Sequence, residues 1–201
     1  NKAGMTLGLK AGGYWPNNLA KHDLINHQST VFLFDPDTGM VKAMVGGNLL
    51  TALRTAATSA LVARHLMPKG AKVMALIGNG AQSEFQALAF KTICGIDDLR
   101  LYDIDPAAIW RCANNLAGRG MKITQCRTAD EAVMGAQIVT TVTADKTNAT
   151  ILTDNMVGAG VHINAVGGDC PGKTELHRDI LKRSSIFVEY PPQTRIEGEI
   201  Q

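Results

Sequence analysis

The fold of this chain is decided by the stretch Val73-Met-Ala-Leu-Ile-Gly78-Asn-Gly80-Ala81-Gln82-Ser83. Its first five residues are apolar without alternation, which predicts a short strand buried on both faces. Gly78 permits a tight turn after the strand, and Gly80 lets the backbone approach a pyrophosphate, whose charge the free N–H groups of the following helix would hold. Ser83 stands where a third glycine usually lies, so the packing there must accept a small side chain. The stretch predicts a dinucleotide-binding turn.

Short apolar strands and helices alternate around this turn. The predicted strands are Val73–Ile77, Leu99–Asp103, Ile123–Cys126, Ile138–Val142, His162–Val166 and Ile186–Tyr190. The predicted helices are Leu49–Leu66, Ala81–Ile93, Pro106–Leu116, Ala129–Gly135 and Lys173–Arg183. Such alternation is typical of a parallel sheet that is covered on both faces. The predicted fold class is therefore α/β, with a Rossmann-type doubly wound parallel sheet.

The residues that precede this alternation have a different sequence pattern, one of strands and turns. An apolar piece ends at Lys10, and a loop rich in Gly, Pro and Asn follows it. Thr30–Asp35 and Met40–Val45 then flank the turn Pro36–Gly39, where Pro and Gly are the usual chemistry of a chain reversal. We therefore expect a smaller, strand-rich region with a hairpin before the parallel sheet.

Asp103 indicates which dinucleotide the turn binds. It ends the second strand of the alternating region 25 residues after Gly78 (103 − 78), near the ~20-residue spacing of the acidic residue that binds ribose in such folds. A carboxylate there accepts hydrogen bonds from the ribose hydroxyls and repels a 2′-phosphate, and no Arg or Lys directly follows it. NAD is therefore predicted rather than NADP. The alternative role, capping of the helix that begins at Pro106, fits Asp105 better.

Two further strand ends carry residues suited to a ligand, because ligands bind beyond the carboxyl ends of the strands in this fold. The fourth strand is followed by small and hydroxyl residues that include Thr143. The fifth leads into Asn164-Ala-Val-Gly-Gly-Asp169-Cys-Pro-Gly-Lys173, whose glycines suit close approach by a nicotinamide ring. We expect Asp169 to project into the crevice between domains.

Composition argues against several classes of function. The net charge is +2 without a run of Lys or Arg, so neither nucleic acid nor a membrane is an expected partner. No apolar stretch is long enough to span a bilayer. The four cysteines are scattered without a C-x-x-C pair, and the five histidines lack metal-ligand spacing. This pattern predicts no metal site and no disulfide framework, and reduced thiols fit a cytoplasmic protein.

Six longer stretches carry a more specific signal. They are Leu50–Ala60, Ile77–Gln86, Leu101–Pro106, Thr140–Lys146, Gly160–Leu176 and Glu189–Ile200. Together they resemble the ornithine cyclodeaminase and μ-crystallin family, and the likeness is dense from about residue 28 to the end. The resemblance implies a two-domain, usually dimeric enzyme whose substrate domain is built from both ends of its chain.

On this resemblance, residues 1–57 are part of a smaller α+β substrate and dimerisation domain. Residues 58–190 are the NAD-binding Rossmann domain, incomplete at its C-terminus, and residues 191–201 lead towards a missing C-terminal part. We therefore expect the chain to be a piece of a longer protein, with Asn1 and the polar end at Gln201 as cut points. The full-length protein is expected to form a homodimer.

The resemblance also implies a role for each site residue. Asp169 matches the catalytic aspartate of the cyclodeaminases, Lys10 the lysine that holds the substrate α-carboxylate, and Arg54 a helix arginine that reaches the cofactor and substrate region. Together with the glycine turn, the predicted cofactor-binding residues are Gly78, Gly80, Ala81, Gln82, Asp103, Thr143, Asn164, Ala165, Val166 and Lys173.

The implied activity is NAD-dependent, redox-neutral cyclodeamination of the amino acid L-ornithine to L-proline and ammonia. The loop Ala11–His27 departs from the family pattern, in which a threonine helps to hold the nicotinamide, and Asn26 or Gln28 would take that place. Amino-acid dehydrogenases, cyclic-imine reductases and μ-crystallin-like small-ligand binders share the scaffold and stay open as alternatives, as does lysine or a shorter diamine as substrate. A dehydrogenase needs no Asp169, and Asp103 opposes the NADP preference expected of a binding protein.

Overall fold

The computed structural model describes residues 5–144 and 149–201 of the chain. The described residues fall into two compact units, which meet in the sequence between Thr55 and Ala56.

The first unit contains a three-stranded antiparallel sheet. Its elements are β1 (Leu7–Tyr14), helix α1 (Asn18–His22), β2 (His27–Phe34), β3 (Val41–Gly46) and the first part of helix α2 (Gly47–Leu66). The strand order is β1-β2-β3, and β2 and β3 form the predicted hairpin. The Asp35 carboxylate holds the hairpin turn, because its Oδ1 accepts hydrogen bonds from the N–H groups of Asp37 and Thr38, each at 3.0 Å.

Strand β1 differs from the prediction, which ended it at Lys10. The strand continues to Tyr14 and pairs with β2 along its whole length. A Cβ added at Gly12 would lie 2.5 Å from the carbonyl oxygen of Gln28 and from the Cβ of Ser29. Glycine is therefore needed because two backbones approach closely within a ladder. The small residues that suggested a loop belong to the strand.

The second unit is a parallel sheet with helical crossovers. Its strands are β4 (Val73–Ile77), β5 (Asp98–Tyr102), β6 (Lys122–Gln125), β7 (Ile138–Thr141) and β8 (His162–Ala165). Its helices are α3 (Ser83–Ala89), α4 (Pro106–Leu116), α5 (Ala129–Val133), α6 (Arg178–Lys182) and α7 (Pro191–Thr194), with a short π-helix at Phe90–Cys94 and a 3-10 helix at Asp154–Met156. The strand order is β6-β5-β4-β7-β8, and all neighbouring strands are parallel. From β4 the chain first adds β5 and β6 on one side of the sheet and then β7 and β8 on the other, so the switch point lies between β4 and β7. This order confirms the predicted Rossmann-type doubly wound sheet.

Strand β4 lies at the centre of this sheet and is buried on both faces, as its unbroken apolar run predicts. Met74 and Leu76 belong to one buried cluster, and Ala75 and Ile77 belong to another. Because successive side chains of a strand point to opposite faces, the two clusters are the cores on the two sides of the sheet. The strand leads directly to Gly78, so the glycine turn follows the central, buried strand of the sheet.

The predicted strand Ile186–Tyr190 was wrong. Within the described residues, β8 is the last strand of the sheet, and the segment forms no ladder with it. Ile186, Phe187 and Tyr190 are 48%, 65% and 61% exposed. Aromatic and β-branched residues favour a strand only where a neighbouring strand covers them, which composition cannot reveal.

The predicted helix Lys173–Arg183 was too long, because only Arg178–Lys182 is helical. Ahead of it the chain is extended. The carbonyl oxygen of Glu175 accepts hydrogen bonds from the N–H groups of Ile151 at 2.7 Å and Leu152 at 3.1 Å, and Leu176 forms a parallel bridge with Leu152. These tertiary hydrogen bonds replace the intrahelical ones that the sequence pattern suggested.

Candidate functional site

Gly78 makes the turn after β4 possible in two ways. Its φ is +93°, a conformation that other residues rarely adopt. A Cβ at this position would lie 2.8 Å from the carbonyl carbon of Val142 and 2.9 Å from the nitrogen of Thr143. The turn therefore packs directly on the backbone that follows β7, and only glycine fits there.

Gly80 has the opposite surroundings. It is exposed, and a Cβ added there would meet nothing within 4 Å. Its neighbour Ala81 is also exposed, so the outer side of the turn presents open backbone. Ser83 closes the inner side, where it is fully buried and its hydroxyl donates to the carbonyl oxygen of Gly80 at 2.7 Å. The position of the usual third glycine thus holds a small side chain with a satisfied hydroxyl group.

Asp103 follows β5 and contacts the glycine turn. Its Oδ2 accepts a hydrogen bond from the N–H of Asn79 at 2.6 Å, and its Oδ1 accepts one from the N–H of Asp105 at 2.9 Å. Asp105, in turn, caps α4 by accepting from the N–H of Ala107 at 2.9 Å. The capping role therefore belongs to Asp105, as expected. Each oxygen of Asp103 retains a second lone pair with which it can accept a ligand hydroxyl.

A cleft of about 410 Å³ opens beside Asp103. Its walls include Asp103 and Ile104 after β5, and Cys126 and Arg127 after β6. It lies at the carboxyl ends of these strands, where ligands bind in doubly wound sheets. The cleft offers space for a flat group attached to a ribose that Asp103 holds.

The ends of β7 and β8 meet around Thr143. The ammonium group of Lys173 donates to the carbonyl oxygen of Thr143 at 2.8 Å and to Oδ1 of Asp169 at 3.2 Å. Lys173 is buried, whereas the side chain of Asp169 is 72% exposed. The buried lysine therefore fixes the position of a carboxylate that faces solvent. Three residues predicted separately from the sequence are in contact here.

Asn164 and Ala165 form the end of β8, Val166 follows it, and all three are half-buried. The side-chain amide of Asn164 donates to the Thr140 hydroxyl at 3.3 Å, and its oxygen lies 3.2 Å from Nε2 of His162. Burial lowers the pKa of His162 below its ordinary value, and the Asn164 contact offsets this only in part. The N–H of Val166 donates to the carbonyl oxygen of Thr141 at 3.0 Å, which extends the β7–β8 ladder to the site.

Several polar atoms at this edge are buried without a partner. Among the residues that the structure describes, Oε1 of Gln82, Oγ1 of Thr141 and Oε2 of Glu175 find no hydrogen bond. Buried polar atoms are normally paired, so orphaned ones invite an explanation such as a ligand or water. Gln82 also stands at the N-cap of α3 and makes no side-chain capping bond. The glycine turn with its open outer side, Asp103 and these orphaned atoms fit a dinucleotide.

Lys10 and Arg54 belong to the first unit. The ammonium group of Lys10, on β1, donates to the Thr51 hydroxyl at 2.6 Å, and that hydroxyl donates to the carbonyl oxygen of Gly47 at 2.6 Å. Arg54 is exposed on α2. Lys10 is exposed as well, and an ammonium group has three N–H donors, so Lys10 can donate further hydrogen bonds.

Asn26 and Gln28, the two candidates for the missing threonine, also lie in the first unit and hold its loops together. Oδ1 of Asn26 accepts from the N–H of Leu19 at 3.1 Å. Oε1 of Gln28 accepts from the Asn48 side chain at 3.0 Å, and its amide donates to the carbonyl oxygen of Ile25 at 3.0 Å. Both side chains thus have local structural partners.

Sequence reasoning missed Glu175 and Glu199. Glu175 is buried, and its Oε1 accepts from the N–H of Thr143 at 3.1 Å and from the Thr143 hydroxyl. The Glu199 carboxylate accepts from the N–H groups of Glu175 at 2.9 Å and Leu176 at 3.0 Å. Burial raises the pKa of Glu199, against the effect of these bonds. No local pattern in Lys173-Thr-Glu-Leu176 marks Glu175 as a buried residue, because its partners Thr143 and Glu199 are distant in the sequence.

Elsewhere the described residues show few other candidate sites. No group of three His, Cys, Asp or Glu side chains in residues 5–144 and 149–201 is arranged to hold a metal ion. Cys94, Cys112, Cys126 and Cys170 are all free thiols. No helix within the same described ranges is long and apolar enough to cross a membrane.

Comparison with known proteins shows the family of the chain. All residues, 1–201, match the family model described as the ornithine cyclodeaminase/mu-crystallin family. Ornithine cyclodeaminase from Brucella suis biovar 1 (strain 1330) is 76% identical over 153 residues, which cover 76% of this chain and 43% of that protein. The chain therefore spans less than half the length of this curated relative.

Two solved structures have the same fold over nearly the whole chain. A lysine cyclodeaminase, whose structure explains recognition of L-lysine, L-ornithine and L-2,4-diaminobutyric acid, is 34% identical with a TM-score of 0.90, covering 99% of this chain and 58% of that one. The iminosuccinate reductase of Paracoccus denitrificans in complex with NAD⁺ is 45% identical with a TM-score of 0.86, covering 96% of this chain and 59% of that one. Together with the match to the family model, these likenesses establish that the chain belongs to the ornithine cyclodeaminase/mu-crystallin family.

Proposed function

We propose that the protein catalyses redox-neutral, NAD-dependent cyclodeamination of L-ornithine to L-proline and ammonia. One observation carries the proposal: an unbroken series of contacts leads from the glycine turn to a solvent-facing carboxylate. Gly78 packs on the Thr143 backbone, Thr143 accepts from Lys173, and Lys173 pairs with Asp169. A dinucleotide turn and a candidate base thus belong to one connected site. The Brucella relative, an ornithine cyclodeaminase, supports the choice of reaction.

The cofactor that best suits the site is NAD. The exposed backbone at Gly80 and Ala81 would face the pyrophosphate, and Asp103 would accept the ribose hydroxyls while repelling a 2′-phosphate. Gln82, Thr143, Lys173 and the end of β8 at Asn164–Val166 would line the rest of the site. Bound NAD supplies a hydride acceptor that is restored within each turnover, so the net reaction is a deamination. The orphaned oxygens of Gln82 and Thr141 give such a ligand acceptors to pair with.

Asp169 would act as the catalytic base. Cyclisation requires the δ-amine of ornithine to be neutral when it attacks the α-carbon, which would by then be an imine carbon because its hydride has passed to NAD. Asp169 would orient this amine and accept its proton. The Lys173 ammonium contacts Oδ1 of Asp169 and would hold the carboxylate in one orientation, which raises the effective concentration of the reacting groups. Attack by the δ-nitrogen forms the new C–N bond, and the α-nitrogen leaves as ammonia. Return of the hydride to the α-carbon of the resulting cyclic imine would give proline, so the atoms of ornithine are divided between proline and ammonia.

Lys10 and Arg54 would bind the substrate. A lysine ammonium and an arginine guanidinium are the groups that pair with an α-carboxylate. On this proposal the Thr51 hydroxyl, which contacts the Lys10 ammonium at 2.6 Å, positions the lysine for the carboxylate. These two assignments are supported by the family resemblance, as is the division into a substrate and dimerisation domain (1–57), an NAD-binding domain (58–190) and a connecting segment (191–201).

We further propose that the intact protein is a homodimer in the cytoplasm. The small sheet carries apolar side chains that are largely exposed, since Leu7, Leu9 and Met44 are 49%, 56% and 69% exposed. Such a surface is commonly covered by a partner or by further chain. Four free cysteines favour a reducing compartment.

The second candidate function is an NAD-dependent imine reductase or amino-acid dehydrogenase. It is favoured by the iminosuccinate reductase of Paracoccus denitrificans, which is 45% identical to this chain. The two functions differ in their use of the nucleotide, because a reductase or dehydrogenase consumes one nucleotide for each product molecule and a cyclodeaminase consumes none.

Stoichiometry therefore tests the proposal. The intact protein would be given L-ornithine with NAD at a small fraction of the substrate concentration, while proline, ammonia and reduced-nicotinamide absorbance are followed. We expect many proline molecules per NAD and no steady build-up of NADH. NADH that accumulates in step with substrate loss, or an absence of proline, would favour the second candidate.

A further inference from the structure

We propose that Glu175 is a positioning residue of the dinucleotide site, which together with Lys173 fixes the Thr143 backbone where β7 ends. The inference rests on the proposed function and extends it to a residue that contacts neither the glycine turn loop nor the candidate base directly. Three observations carry the inference. They are the hydrogen bonds of Thr143, the close contact of the Glu175 carboxylate with Gly167, and the backbone hydrogen bonds that hold Glu175 in place.

Thr143 forms hydrogen bonds with buried side chains through its N–H, its hydroxyl and its carbonyl oxygen. Its N–H and its hydroxyl both donate to Oε1 of Glu175, and its carbonyl oxygen accepts from the ammonium group of Lys173. All of its hydrogen-bonding groups therefore contact two side chains that are two residues apart in the sequence. The result is a clamp, formed by Lys173 and Glu175, on one residue of the site.

The clamp is buried, which makes it costly to maintain. Glu175 is 1% exposed and Lys173 is 2% exposed. Removing charged groups from water is unfavourable, and apolar residues of similar size could pack such a segment as well or better. Charged groups at these two positions are therefore better explained by the geometry that they impose on Thr143 than by stability.

The Glu175 carboxylate also touches the residue that follows β8. A Cβ added at Gly167 would lie 2.1 Å from both carboxylate oxygens, so the carboxylate occupies the space of a side chain there. The Thr143 nitrogen that Glu175 holds lies 2.9 Å from the position of a Cβ on Gly78. One carboxylate thus sets the spacing between the ends of β7 and β8 and supports the backbone on which the glycine turn packs.

Glu175 is itself held firmly. Its N–H donates to the Glu199 carboxylate at 2.9 Å, and its carbonyl oxygen accepts from Ile151 at 2.7 Å and Leu152 at 3.1 Å. A carboxylate on a backbone anchored on both sides acts as a fixed support. We therefore expect Glu175 to move little, and the Thr143 backbone that is bonded to its carboxylate to move little as well.

The test compares NAD affinity and local backbone protection in the intact protein. Glu175→Gln keeps the size of the side chain but removes its charge, so we expect the dissociation constant for NAD to rise about tenfold. Hydrogen exchange of the peptide that contains Thr143, measured without NAD, should become about tenfold faster. Glu189→Gln, which removes an exposed carboxylate elsewhere in the same unit, serves as the matched control and should change neither quantity.

A second pair of variants covers the case in which Glu175→Gln does not fold. Glu199→Ala removes the carboxylate that accepts from the N–H of Glu175, so it should weaken NAD binding and speed exchange of the Thr143 peptide, whereas Glu189→Ala should change neither.

The outcomes separate the two proposals. Wild-type protein that binds no NAD would overturn the proposed function and this inference with it. Normal NAD binding by the wild type, combined with unchanged affinity and unchanged exchange in Glu175→Gln, would overturn the inference alone. NAD affinity and exchange of the Thr143 peptide in Glu199→Ala equal to those of Glu189→Ala would do the same.

Discussion

Replacing Gly78 with alanine should separate the structural requirement of the dinucleotide turn from its binding role. At φ +93° an L-residue is strained, at a cost of about 1–2 kcal/mol. The new methyl group would also lie 2.8–2.9 Å from backbone atoms of Val142 and Thr143, and such overpacking costs about 1–3 kcal/mol. The free energy of unfolding should therefore fall by about 2–5 kcal/mol. For a chain of this length the melting temperature should fall by on the order of 10 °C.

The assay is urea unfolding of wild type, Gly78→Ala and Gly80→Ala, followed by NAD titration of each. Gly80→Ala is the matched control, because its methyl group would meet nothing within 4 Å, and its stability should change by less than about 0.5 kcal/mol. It should nonetheless weaken NAD binding, since the methyl group projects from the backbone proposed to face the pyrophosphate. A Gly78→Ala protein as stable as the wild type would refute the reasoning about close approach. Normal NAD affinity in Gly80→Ala would refute the assignment of the turn.

Three further predictions concern the chemistry of the site and its pH dependence. Asp169→Asn should lower kcat for ornithine about 100-fold or more with little change in NAD affinity, because it removes the proposed base; near wild-type turnover would contradict this role. Asp103→Ser should reduce the preference for NAD over NADP about tenfold or more, measured by titration with both nucleotides, since the carboxylate that repels the 2′-phosphate is gone; unchanged discrimination would remove Asp103 as the determinant. Burial lowers the pKa of His162 below its ordinary 6.5, so the unfolded state binds the proton more readily. Wild-type stability relative to His162→Gln should therefore decline as pH falls below 6.5, and a pH-independent difference between the two proteins in urea unfolding would show that His162 is equally protonated in both states.

Local patterns were sufficient to predict the five strands of the parallel sheet and the glycine turn after β4. The unbroken apolar run Val73–Ile77 specified a strand buried on both faces, and the glycines behind it specified the turn. The spacing of Asp103 from Gly78 brought a carboxylate to the turn, where Oδ2 accepts from Asn79. These features depend on residues close in sequence or on a spacing that the fold class fixes.

Features set by distant partners could not be predicted in this way. Glu175 acquires its position from Thr143, which is 32 residues away, and from Glu199, which is 24 residues away. Gly12 marks a close approach of two strands that its own sequence neighbourhood presents as a loop. The apolar segment Ile186–Tyr190 has the composition of a strand, but pairing decides whether a strand forms. In each case the missing information is tertiary.

The most direct test of the central claim follows the hydrogen on the α-carbon of the substrate. L-Ornithine deuterated at this carbon would be converted by the intact protein with NAD in far lower amount, and the proline would be analysed by mass spectrometry and NMR. A cyclodeaminase that removes a hydride and returns it within the same site should give proline that retains one deuterium at its α-carbon, with no accumulation of reduced nucleotide. Deuterium recovered in accumulating reduced nucleotide, or proline without deuterium, would contradict the claim.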